Sequence, residues 1–136
     1  RRDVMSVEES FDIIEAEAAI DDALVVDGVW GVETTKALQT ELDLDQSGSI
    51  KNQPNSLRGT TRGTGEGWGW TSPAKATPDQ TLVKLQLAVN VLPTGFMDRQ
   101  TIHAIAQLVG LDKKHVLDHE LVEAVQLALN DNTFLN

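Results

Sequence analysis

The 136-residue sequence predicts an all-α fold, a small helical-repeat domain with internal pseudo-symmetry and an extra N-terminal helix. Three observations predict it. Hydrophobic residues make up 40% of the chain and aromatic residues only 4%, so Leu, Val, Ile and Ala must build the core, a composition that favours helices. Apolar residues recur at steps of three and four. One short helical pattern also returns along the chain, in Thr35–Asp43, Leu82–Asn90, Thr101–Gln107 and Leu121–Asn130, with Gln39, Gln86, Gln107 and Gln126 on or near an apolar pair. A unit with a single apolar face cannot bury it alone, so the copies must pack together.

Residues 1–22 form the extra element, an amphipathic helix or linker. Val4, Val7, Phe11, Ile14 and Ala18 draw a seam over 4–20, and Ser6 with Glu9 makes a capping box. The seam must be covered by the rest of the chain, by an upstream domain or by a second copy. The last choice gives a homodimer through residues 4–18.

Residues 23–136 read as one domain of repeats, about 24–57 and 78–136, joined by a Gly/Thr/Trp-rich connection over 58–77. The first repeat opens with Asp27-Gly28-Val29-Trp30-Gly31-Val32-Glu33-Thr34-Thr35-Lys36-Ala37-Leu38-Gln39. Gly28 and Gly31 suit the positive φ of a tight turn. Thr34 or Thr35 is placed to cap the helix that follows, whose apolar stripe is Ala37, Leu38 and Leu42. Trp30 is either a core plug or a binding surface. After this helix, Asp43 to Ile50 has the oxygen spacing of a calcium loop, but Pro54 stands where a bidentate Glu belongs, which favours a polar turn. In the connection, Gly67-Trp68-Gly69-Trp70 is extended, so both rings share one face, against the core or as an exposed shelf. Thr94-Gly95-Phe96-Met97-Asp98 repeats the first turn, with Asp98 in place of Gly31.

Residues 26–39 resemble peptidoglycan-binding modules, whose signature runs roughly Asp-Gly-apolar-x-Gly-x-x-Thr into a helix with Ala-Leu-Gln. The longer arrangement is similar to the paired-repeat cell-wall-binding modules of phage endolysins and related bacterial wall hydrolases. The resemblance implies noncatalytic attachment to peptidoglycan or an associated wall glycan, targeting an upstream catalytic domain in bacteriolysis. It also implies synthesis in the host cytoplasm, if phage-encoded, and action at the bacterial wall. The rival reading is a helical protein-interaction or oligomerisation module that binds no glycan.

The net charge of −10 argues against nucleic acid, which needs Lys and Arg to displace phosphate counterions. It also argues against adhesion to an anionic membrane or wall by charge. No apolar run approaches a membrane span, and no signal peptide is visible. There is no Cys, hence no disulfide or thiol chemistry. His115 and His119 have the spacing of a Zn²⁺ pair, but Asp118 reads as a helix cap that separates them, and His103 reads as a satisfied, half-buried histidine. No carboxylate pair stands out as a glycosidase pair. The chain therefore reads as a binding domain with no catalytic residue, metal or cofactor. The ligand-binding candidates are Trp30, Trp68, Trp70 and Phe96 for stacking, with Asp27, Gln39, Gln86 and Gln126 for hydrogen bonds. Gly28, Gly31, Thr34 and Gly95 are structural turn residues, and the glutamines have fold-only roles as their other reading.

Overall fold

The structure is a computed structural model that describes residues 23–135. The helix expected over 4–20, its capping box and the dimer seam lie outside those residues. Among the described residues four helices follow one another as α1 (Val32–Glu41), α2 (Gln80–Ala88), α3 (Arg99–Leu108) and α4 (His119–Asn130). Between α1 and α2 lie two strands, β1 (Ile50–Pro54) and β2 (Trp68–Thr71). They pair in parallel, with Ile50 opposite Trp68 and Pro54 opposite Thr71.

This corrects the expected all-α class: the domain is mixed α and β. Parallel strands need a long crossover, and residues 55–67 supply it. That stretch is no loose connector. The Leu117 N–H donates to Thr60 O at 2.8 Å, and the Gly63 N–H donates to Leu117 O at 2.8 Å. On the other side the Trp30 N–H donates to Gly63 O at 2.7 Å, and the Gly65 N–H to Trp30 O at 2.9 Å. The crossover therefore stitches the turn before α1 to the turn before α4.

The helices begin in two ways. Asp79, Asp98 and Asp118 cap α2, α3 and α4 by accepting backbone N–H groups of the first turn. Gly31 stands at the equivalent point of α1, with φ −103° and no side-chain cap. Two expectations are corrected here. Gly31 does not take a positive φ, and neither Thr34 nor Thr35 is the cap. Both threonines are buried inside α1 and serve as acceptors instead.

All four helices end alike. Asp43, Asn90, Gly110 and Asn132 take the left-handed conformation just past the last turn. The next N–H, of Leu44, Val91, Leu111 and Thr133 respectively, then reaches back five residues at 2.8, 3.0, 2.8 and 2.9 Å. This is the Schellman closure, which satisfies carbonyls that a helix end leaves open. One core joins these units, with Leu38, Leu82, Leu85, Ile102, Ile105 and Val125 fully buried in it. Trp30, Met97 and Leu117, each just ahead of a helix, and Ile50, at the start of β1, are part of this core with zero exposure.

Candidate functional site

The candidate residues separate according to how their hydrogen-bonding groups are used. Gln126 of α4 is 1% exposed. Its Oε1 accepts from the N–H groups of Gly28 at 3.0 Å and Asp27 at 3.1 Å. Its Nε2 donates to Val29 O at 3.0 Å, Thr34 Oγ1 at 2.9 Å and Asp27 Oδ1 at 3.1 Å. Gln39 of α1 does the same for the next turn, accepting from the Gly48 N–H at 2.9 Å and donating to Ser47 Oγ and Thr81 Oγ1, each at 3.0 Å. Gln86 of α2 accepts from the Gly95 N–H at 2.8 Å and donates to Phe96 O at 2.8 Å, Thr94 Oγ1 at 3.1 Å and Thr101 Oγ1 at 2.7 Å.

The rule is the same three times. A helix glutamine grips a glycine N–H, an oxygen side chain just before that glycine, and the threonine hydroxyl of the following helix. The gripped glycines, Gly28, Gly48 and Gly95, have φ of +76°, +73° and +79°. A carboxamide has one acceptor oxygen and two N–H groups; in all three side chains the NH₂ is saturated and the oxygen is engaged within the fold. Thr34 is part of the first latch.

Asp27 lies at the edge of that latch and is exposed. The Val29 N–H and then the Gln126 amide hold its carboxyl below the ordinary aspartate range. The fourth turn, before α4, has no glutamine latch, because Ala106 occupies the place of Gln39 and Gln86 in α3. Lys114 holds it instead, at 2.6 Å from Asp118 and 2.7 Å from Glu120. Both carboxylates raise the Lys114 pKa. Burial pushes Asp118 up, but the Lys114 ammonium and the Leu121 N–H together bring it below its usual value.

The aromatic candidates divide as well. Trp30 is wholly buried and donates from Nε1 to Thr35 Oγ1 at 2.9 Å. Phe96 is half-buried at the third turn, in register with exposed Val29, while Met97 matches Trp30. Trp68 is 9% exposed and meets Trp30 edge-on, 5.9 Å between ring centroids. Trp70 is half-buried and stacks on Trp68 at 5.8 Å and 15°. The exposed Arg58 places its guanidinium 5.3 Å from the Trp70 ring centroid. Beside this pair runs a groove of about 320 Å³, lined by Ser49, Lys51 and Asn52 from the β1 side and by Trp68, Gly69 and Trp70 from β2. The structure thus brings Trp68 and Trp70 together on one surface and leaves Trp30 beneath them.

Asp118 caps α4 and separates His115 from His119, as the sequence reads. His119 is the first residue of α4, lies over Gly28 and approaches Glu123 at 3.2 Å. His115 precedes α4 and stacks on His103 of α3, with ring centroids 4.8 Å apart. The Nδ1 of His103 is buried with no partner among the described residues, which corrects the expectation of a satisfied histidine. No group of three or more His, Cys, Asp or Glu among the described residues is placed to hold a metal ion. No described helix is long and apolar enough to cross a membrane.

Comparison with protein-family models, curated proteins and solved structures gives no match for this chain.

Proposed function

We propose that this domain is a noncatalytic module that holds an attached lytic domain on bacterial cell-wall peptidoglycan. Two things support the reading: the resemblance of residues 26–39 to wall-binding modules and the groove at the sheet edge. The groove carries the argument. Trp70 offers a ring to the apolar face of a sugar, and Ser49, Lys51 and Asn52 stand beside it as hydrogen-bonding groups. A sugar that stacks on Trp70 competes with the Arg58 guanidinium, which is exposed and can swing aside. The saturated glutamines and buried Trp30 serve this reading as scaffold, not as contacts.

Sedimentation with purified sacculi tests the proposal. The protein should pellet with the wall and release no soluble muropeptide. Trp70→Ala should remain helical by circular dichroism and bind several-fold more weakly, since one stacked ring contributes about 1 kcal/mol. Protein left in the supernatant, or turbidity loss caused by the pure chain, would sink the reading.

One observation favours a protein-interaction module instead. Val25, Val26 and Val29 are 74%, 36% and 45% exposed and fall within a five-residue stretch ahead of α1. Exposed apolar residues grouped in this way mark interaction surfaces. A stable complex with a partner protein, combined with no retention on sacculi, would select that reading.

A further inference from the structure

A second groove, of about 570 Å³, lies between α3 and the loop that follows α2, with His115 at one side. Its wall is apolar, made by Val91, Ala104 and Leu92, the last 66% exposed. Most of its polar groups come from α3, Arg99, His103 and Gln107 at steps of four with Gln100 alongside, and Asn90 and His115 complete the polar lining. None of its lining residues is acidic, in a chain of net charge −10. The nearest carboxylate in sequence, Asp98, is not among the lining residues and is committed to Thr94 and to Thr101.

These polar groups are unspent. Arg99 has no ion-pair partner among the described residues, and the side chains of Gln100 and Gln107 make no hydrogen bond there. His103 adds an independent sign. Its Nδ1 is buried and unpartnered, and stranding an N–H costs more than stranding a bare lone pair. With the N–H on Nε2 the stranded nitrogen is only a lone pair, and that arrangement makes His103 a donor. An apolar wall with a few convergent polar groups is the usual build of a small-ligand site. Here the polar groups are a guanidinium, two imidazoles and three amides, with no carboxylate among them, so the complementary ligand is an anionic acceptor beside a small apolar group. A carboxylate fits the fork of Arg99.

We infer that this groove binds the C-terminal carboxylate of a short peptide ending in a small apolar residue, the chemistry of a wall peptide stem that ends in D-alanine. The carboxylate class follows from the groove; its source in the wall rests on the reading proposed above. Leu92 and Val91 cover the terminal methyl group, Arg99 pairs with the carboxylate, and His103 and Gln107 bond the remaining acceptors.

The test is an NMR titration of the whole chain with diacetyl-Lys-D-Ala-D-Ala and, separately, with its C-terminal amide. The acid should shift Arg99, His103 and Gln107 resonances saturably, and the amide should bind at least about five-fold more weakly. Arg99→Gln, a surface change, should weaken the acid about ten-fold, the scale of one charge-assisted hydrogen bond. His103→Phe keeps a ring against His115 but removes the donor, and should cost several-fold. Equal binding of acid and amide, no saturable shift, or an Arg99→Gln chain that binds as the parent does overturns the inference. Sedimentation with sacculi separates the two claims. A chain that pellets yet ignores the tripeptide sinks the groove and spares wall binding. A chain that stays in solution yet prefers acid to amide does the reverse.

Discussion

Gln39, Gln86 and Gln126 commit both ends of the carboxamide to a glycine turn, whereas Gln107, on the helix between Gln86 and Gln126, lines an open groove with its side chain unbonded. The four sit in similar sequence, after apolar residues near the end of a short helix. The difference is one position. Gln39, Gln86 and Gln126 directly follow Leu38, Leu85 and Val125, whereas Ala106 takes the corresponding place after Ile105 and Gln107 comes one residue later. One residue turns a helix face by about 100°, enough to carry the amide from the turn it would grip to the solvent. The same slip leaves the turn before α4 without a latch, and that turn is held by Lys114 and by the crossover segment 55–67. A residue type is thus scaffold or candidate contact according to a single step of register.

The largest expected effect is at the buried latches. Gln126→Ala strands the Asp27 and Gly28 N–H groups and opens a hole, for a loss of about 2–4 kcal/mol. Gln107→Ala should change stability by no more than about 0.5 kcal/mol, as surface substitutions do. Denaturant unfolding of the two variants measures the contrast directly, and equal losses would break the comparison.

Next come the gripped turns. A Cβ on Gly95 would run into Pro78, including its backbone, at φ +79°, so Gly95→Ala should cost about 2–3 kcal/mol. A Cβ on Gly28 would meet the exposed His119 ring, which can move, so Gly28→Ala should cost less, about 1–2 kcal/mol. Gly31 has φ −103° and nothing nearer than 3.8 Å to an added Cβ, so Gly31→Ala should be near neutral. The order of the three melting temperatures checks the turn geometry.

The smallest effect is electrostatic. Asp27 and Asp118 have folded pKa values below their unfolded ones, so their stabilisation is present above pH ~4 and is lost as pH falls through the depressed values. Lys114 is shifted up, so its contribution is held until pH rises through its raised pKa. Acid unfolding of Asp118→Asn should show a shallower loss of stability below pH ~4 than the parent. An unchanged acid limb would mean the fourth turn is not held by this pair.

Much of the turn-helix unit was legible in the sequence. Gly28 is at positive φ as read, Gly95 is a turn residue as read, Asp118 caps α4 as read, and Ser47-Gly48 is a polar turn leading into Ile50. The strands were not legible. β1 has five residues and β2 four, too few for alternation to declare itself, and their pairing spans a crossover that only tertiary contacts reveal. The cap of α1 was misread because two threonines outranked a glycine by propensity, while tertiary partners claimed both hydroxyls. The shared face of Trp68 and Trp70 followed from their spacing, but its depth did not, since burial depends on Trp30 beneath. The groove at His103 was hidden because Arg99, His103 and Gln107 read as the ordinary polar side of a helix. Their step of four was the available signal, and it had no meaning until Leu92 and His115 closed the walls.

The division between latches and unspent groups is tested most directly by mapping amide shifts of the whole chain as a soluble disaccharide-peptide from sacculi is added. The account predicts shifts around Lys51, Asn52 and Trp70 and around Arg99, His103 and Gln107, with the Gly28, Gly48 and Gly95 amides unmoved. Shifts concentrated at those latched glycines, or none at either groove, would contradict it.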